Sequence, residues 1–289
     1  MGNIYERSMS QITMSVCFGL LIILFSCNRK HVAYDSPPNY DINKPYTIKL
    51  PSELEEISGI SYYAKDNSLF AESDEKGCLY KIFLNKPADF RKWKFGHKHD
   101  YEDIVLHDST FYILSSTGDI AKLNFVKDSL ISQLYTFPDN GKNEFESLYF
   151  DERLQKLVLL CKDCEADKNS TVSAFTFDLT SCTYANSYII DARDVAKITS
   201  PKSLRYKPSA AAINPVTDEL YILSSINKLL VVADRSGVIK KMYHLYPTLF
   251  NQPEGIAFKP DGSMFISNEA GKAPTATILF YQFKASADK

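Results

Sequence analysis

A short pattern recurs five times along this chain. It reads SGISYY (58–63), EDIVLH (102–107), ESLYFD (146–151), SAAAIN (209–214) and EGIAFK (254–259). The lead residues Ser58, Glu102, Glu146, Ser209 and Glu254 stand 44, 44, 63 and 45 residues apart. A fixed period of this size marks a repeat architecture, in which no unit can bury its apolar face alone and each stacks on the next.

Each lead strand is followed by a turn and then a second strand. The turns hold Asn67, Asp108, Arg153, Asp218 and Gly262, most of them in clusters of hairpin formers. The second strands are LFAES (69–73), FYILS (111–115), LVLLC (157–161), LYILS (220–224) and MFISN (264–268). A third strand follows in every unit. A fourth follows in all but the last, where the chain runs out. A spare strand, YTIKL (46–50), precedes the first unit. Four strands per repeat, with a first strand to complete the last unit, predict an all-β propeller of five four-stranded blades closed by the N-terminal strand. The long gap before Ser209 leaves residues 191–205 as an inserted loop or turn of helix, or as an irregular sixth blade. Aromatic content of 13%, nearly all Tyr and Phe, suits pleated, half-buried surfaces.

The first 27 residues are of another kind. Thr13 to Ser26 carries no charge and is mostly apolar, too short for a membrane span but the right size for a signal-peptide core. Arg7 is the one basic residue ahead of it, and Met9 or Met14 are alternative starts. The core ends Leu24-Phe25-Ser26-Cys27, which resembles a bacterial lipobox with Cys27 as the lipidated residue. Residues 1–27 are thus expected to be a lipoprotein signal, residues 28–44 a polar tether, and residues 45–289 one propeller domain. Asn28 follows the cysteine in place of the Asp that marks inner-membrane retention. The expected location is therefore the outer membrane of a Gram-negative envelope, with the domain in the periplasm. Net charge is −2 with both signs interspersed, and no basic stripe follows a phosphate backbone, which argues against nucleic acid as a partner. Export favours disulfides. Cys182 pairing with Cys161 or Cys164 is one expectation, and free thiols, including Cys78, are the other. CKDC (161–164) alone is a weak zinc or redox signal.

Rotation about a propeller axis would bring the five lead residues to one mouth of the channel. The ends of the second strands, Asp74, Lys162, Asn268 and Glu269 among them, would surround that ring. Three carboxylates near one axis need a cation, hydrogen-bond donors or raised pKa values to coexist. Calcium, which takes several oxygen ligands, is the candidate cofactor, with Glu102, Glu146 and Glu254 as its ligands. The other reading of the ring is structural, each polar residue bonding the next blade or channel water. His97 and His99 precede Glu102 but fit a surface loop. No Gly-x-Ser-x-Gly elbow, P-loop or dinucleotide motif is present.

The run 207–245 with QPEGIAFKPDGSMFISNEAG (252–271) resembles the SdiA-regulated family of bacterial envelope propellers. LEEISGISYYAKDNSLFAESDEKGCLYKI (54–82), DYEDIV (100–105) and EFESLYFD (144–151) match its earlier repeats. The resemblance implies fold and location more than activity; the expected role is binding of a small ligand, a metal or an envelope protein at the channel mouth. The chain is similar, more distantly, to calcium-dependent propeller phytases and lactonases. That likeness implies an alternative role for Glu102, Glu146 and Glu254 in hydrolysis. Ser58 and Ser209 depart from the carboxylate pattern, and only Lys162 and Lys272 stand out as bases to hold a phosphate.

Overall fold

The computed structural model describes residues 33–285, apart from residues 74, 140, 168–169, 194 and 196–204. Residues 34 onward form one compact unit. After β1 (Tyr46–Lys49), the first blade is β2 (Ile57–Tyr63), β3 (Ser68–Ser73), β4 (Cys78–Phe83) and β5 (Arg91–Lys94). The second is β6 (Tyr101–His107), β7 (Thr110–Ser115), β8 (Ile120–Val126) and β9 (Ser129–Tyr135). The third is β10 (Asn143–Asp151), β11 (Lys156–Cys164), β12 (Thr171–Asp178) and β13 (Tyr184–Asp191). The fourth is β14 (Ala210–Asn214), β15 (Glu219–Ser224), β16 (Leu229–Ala233) and β17 (Ile239–His244). The fifth is β18 (Pro253–Phe258), β19 (Met264–Asn268) and β20 (Thr277–Tyr281), and β1 adds its outer strand.

The first strands β2, β6, β10, β14 and β18 each lie against the next around the ring, with β18 returning to β2. The expected five-bladed propeller is therefore the observed fold, and the described residues hold no sixth sheet. The insertion at 191–205 falls largely outside the described residues.

Local chemistry explains why each repeat doubles back where it does. The turn between first and second strand closes on a left-handed residue in every blade: Asn67, Asp108, Gln155, Asp218 and Gly262, with φ between 54° and 85°. Asn, Asp and Gly adopt that conformation at least cost. Gln155 lacks this tolerance, and its side-chain amide donates to the Glu152 carbonyl at 2.7 Å within the turn.

Closure follows the expected route. Tyr46, Thr47, Ile48 and Lys49 pair antiparallel with Phe280, Leu279, Ile278 and Thr277. The preceding segment departs from expectation. Residues 34–44 are packed against the propeller, whereas a free tether was expected over 28–44. Tyr40 and Ile42 are buried in the core shared by the fourth and fifth blades. The Tyr40 hydroxyl donates to the Gly262 carbonyl at 2.6 Å, and Tyr281 donates to the Ile42 carbonyl at 3.3 Å. One aromatic and one aliphatic anchor, with Asp41 between them, hold the segment down. The signal, Cys27 and the start of the tether lie outside the described residues.

Candidate functional site

The lead residues sit where the first strands are irregular. Register shifts fall between Ile57 and Ile60, Tyr101 and Asp103, Phe145 and Ser147, and Pro253 and Gly255. Those bulges contain Ser58, Glu102, Glu146 and Glu254. In the fourth blade Ser209 N–H donates to the Leu223 carbonyl at 2.9 Å, although Leu223 already pairs with Ala210. A bulge bends the strand and re-aims the extra side chain. The same local device thus recurs once per blade and sets five side chains apart from the regular in–out alternation.

The two serines bond the next blade. Ser58 Oγ donates to the Glu102 carbonyl at 2.7 Å, and Ser209 Oγ donates to the Pro253 carbonyl at 2.7 Å. Ser267 Oγ in turn donates to the Ser58 carbonyl at 2.7 Å, tying the fifth blade to the first. Asp103, fully buried, accepts from Ile104 N–H at 2.8 Å and from Leu148 N–H of the third blade at 2.7 Å. Burial pushes its carboxyl well above the usual carboxylate range, and the two N–H groups pull it part of the way back. First strands have an unpaired edge facing the axis, and buried backbone groups there must find partners. These side chains supply them.

Glu146 and Glu254 behave differently. Lys162, from the end of β11, pairs with Glu146 and lies 2.7 Å from Glu144. Its charge also reaches Glu254. Burial raises the Glu254 carboxyl to about 7, with Glu269 adding to the rise, while a Ser225 hydrogen bond, Lys162 and Lys228 oppose it. Lys228 is lowered by its own burial, which Glu254 partly offsets, and it donates to the Asn251 carbonyl at 2.5 Å. Glu269 accepts from Gln252 at 2.7 Å and is raised by burial and by Glu56. Beside them Asp163 receives Lys207 at 2.7 Å and Arg205 at 2.8 Å, and the Lys207 hydrogen bond holds its carboxyl below the usual range. One network of alternating charges therefore joins the third, fourth and fifth blades.

Of the expected site residues, Glu146, Glu254 and Glu269 come together around Lys162 and Lys228. Glu102 takes the equivalent ring position in the second blade and is half-buried. Asn268 turns away, its amide reaching the Leu249 carbonyl and Thr277 Oγ1 at 3.4 Å. Asp74 lies outside the described residues. Arg205, Lys207 and Lys228 were missed because they fall outside the repeated pattern and only the ring brings them to Lys162. Lys272 is exposed.

The cysteines also differ from expectation. Cys161 bonds Cys164, and Cys78 and Cys182 are free. Cys182 sits in a tight turn at the far end of the blade with positive φ, after β12. The disulfide brackets Lys162 and Asp163, the two residues that carry the ion pairs. Cys161, Cys164 and Asp167 have donor atoms within 4.8 Å of one another, but sulfurs joined to each other offer no thiolate to a metal.

Fold and mouth define a closed β-propeller whose first strands present a charged axial ring. More specifically, the chain belongs to the SdiA-regulated family, whose model matches residues 38–284. No curated protein matches it in sequence. Among solved structures it is similar to glutaminyl cyclase of Myxococcus xanthus, at 11% identity and a TM-score of 0.53, covering 83% of this chain and 94% of that one. A luciferin-regenerating enzyme aligns at 10% identity and a TM-score of 0.50, covering 83% and 95%. At such identity the likeness is one of fold.

Proposed function

We propose that this protein is an exported, lipid-anchored envelope propeller that binds a small polar ligand bearing both charges at the mouth formed by Glu146, Lys162, Lys228, Glu254 and Glu269. The observation that carries the reading is Glu254, a half-buried carboxyl whose desolvation raises it to about 7 beside two ammonium groups. Buried titratable groups held on rigid elements in a charged recess are the usual mark of a functional site. The mouth offers both signs in adjacent pairs, so a ligand of one sign would leave half of them unmatched. Lys162 already stands between Glu146 and Glu254, which removes the need for calcium to let those carboxylates coexist. Ser58 and Ser209 spend their hydroxyls on backbone carbonyls, which argues against either as a nucleophile. Anchoring through Cys27 follows from the lipobox-like Leu24-Phe25-Ser26-Cys27 and the apolar core before it.

The crowding of Lys162, Arg205 and Lys207 beside carboxylates favours one second reading, a calcium-dependent hydrolase of phosphate or lactone esters. One preparation separates the two. Full-length protein is expected in the membrane fraction, with Cys27→Ser releasing it. On the released domain, thermal shift is then read against zwitterionic, anionic and cationic small molecules, with and without calcium. Zwitterions should raise the melting temperature in wild type and lose that effect in Glu254→Gln and Lys162→Met. A calcium-dependent rise abolished by Glu146→Gln, together with ester turnover, would replace binding by hydrolysis.

A further inference from the structure

The other end of the channel has the opposite character. Two residues beyond each lead position stand Ile60, Ile104, Leu148, Ala211 and Ile256, all buried. Two residues further on stand Tyr62, Leu106, Phe150, Ile213 and Phe258, all partly exposed. Both rows line a cavity of about 440 Å³ to which every first strand contributes. The buried row is its floor, and the partly exposed row is a collar of five large apolar side chains.

Packing from outside holds the collar in place. Tyr62 stacks on Phe265 at 5.8 Å and donates to Asn67 Oδ1 at 2.9 Å. Phe150 lies 3.9 Å from the His107 ring, and Phe258 meets Tyr221 edge-on at 5.3 Å. The charges on the rim are unequal in their pairing. Arg235 is closed into a network with Asp151 and Asp218. Lys259 stands 3.9 Å from Asp261 and 5.9 Å from the Tyr62 ring, both beyond hydrogen-bond reach. The rim carboxylate Glu152 is exposed and belongs to the third blade, two blades from Lys259.

We infer that this funnel is a second binding site, for a small molecule with a flat apolar ring system and an anionic group that meets Lys259. Its volume falls in the range of small-molecule sites, which are apolar with a few placed polar groups. Water gains nothing from five apolar side chains converging on one concave opening, and a large ring system can cover them all. The charged mouth carries polar residues at its equivalent ring position, so the apolar collar is a property of this end and not of the repeat.

The test uses two fluorescent probes on the lipid-free domain, anionic 1-anilinonaphthalene-8-sulfonate and neutral N-phenyl-1-naphthylamine. Both should bind saturably at one site per chain. Phe258→Ser should weaken both by roughly tenfold or more, and Ala212→Phe, which fills the cavity without removing its walls, should do the same. Lys259→Gln should weaken the anionic probe several-fold and leave the neutral one unchanged. Glu254→Gln should alter neither, which keeps this site separate from the charged mouth. Binding that survives Ala212→Phe, or that does not saturate, overturns the inference.

Discussion

Ser58 and Glu254 hold the same place in the repeat and meet opposite surroundings. Ser58 finds a carbonyl of the next blade, whereas Glu254 finds burial and a second carboxyl, relieved by two lysines. Its carboxyl keeps a proton that the unfolded chain gives up near pH 4.5. Between about 4.5 and 7 the folded state therefore holds the extra proton. The stability this adds is complete below that window and is lost as pH rises through it, by on the order of 3 kcal/mol. Glu254→Gln should flatten this part of the stability–pH curve, measured by urea unfolding from pH 4 to 8. An unchanged slope would mean that the carboxyl is ionised throughout. Asp103 and Glu269 are also raised, so the difference between variant and wild type is the quantity to read. The lead carboxylates were legible in the sequence because they repeat. The lysines that oppose the rise of Glu254 were legible only in part: Lys162 ends a second strand of the repeat and could be read, whereas Lys228 shares no phase with the lead residues.

At the scale of the strand, the repeat depends on close approach between blades. A Cβ on Gly59 would come within 2.6 Å of Asp103 Cα and 2.7 Å of Ile104 N, both backbone atoms of the neighbouring first strand. One on Gly255 would come within 2.6 Å of the Ser58 carbonyl oxygen. Backbone cannot rotate aside as a side chain does, so Gly59→Ala and Gly255→Ala should each cost about 1–3 kcal/mol or more through overpacking. The check is chemical denaturation, with Gly77→Ala serving poorly as a control because its φ is positive. Ala210→Gly, the reverse change at the equivalent place in the fourth blade, serves better and should cost less. Strand identities and hairpin turns were readable from alternation and from Asn67, Asp108, Asp218 and Gly262. The bulges were not, because one extra residue leaves no mark in a pattern of five similar hexapeptides. The Cys161–Cys164 bond escaped for a related reason, since regular strand geometry would point residues three apart to opposite faces.

For the molecule as a whole, closure of the ring is the step that local sequence supports least. β1 joins residues 46–49 to residues 277–280, contacts that the chain can form only after nearly all of it is in place. The polar segment before β1 carries Pro37 and Pro38 and resembles a linker, yet Tyr40 and Ile42 are inside. Its role can be separated from that of the strand by stepwise truncation. A chain beginning at residue 34 should melt like the full lipid-free domain. One beginning at residue 45 keeps β1 but exposes the cavity left by Tyr40 and Ile42. Burying two such side chains contributes about 1.5–3 kcal/mol each, and the hydrogen bonds from Tyr40 to Gly262 and from Tyr281 to Ile42 about 1 kcal/mol apiece. That chain should therefore be less stable by about 5–8 kcal/mol. One beginning at residue 51 also bares the edge of β20 and uncovers Ile278, so it should lose cooperative unfolding and associate through the open strand. Equal stability of the chains starting at 34 and 45 would restore the segment to a tether. Equal stability at 45 and 51 would mean that the ring holds without its closing strand.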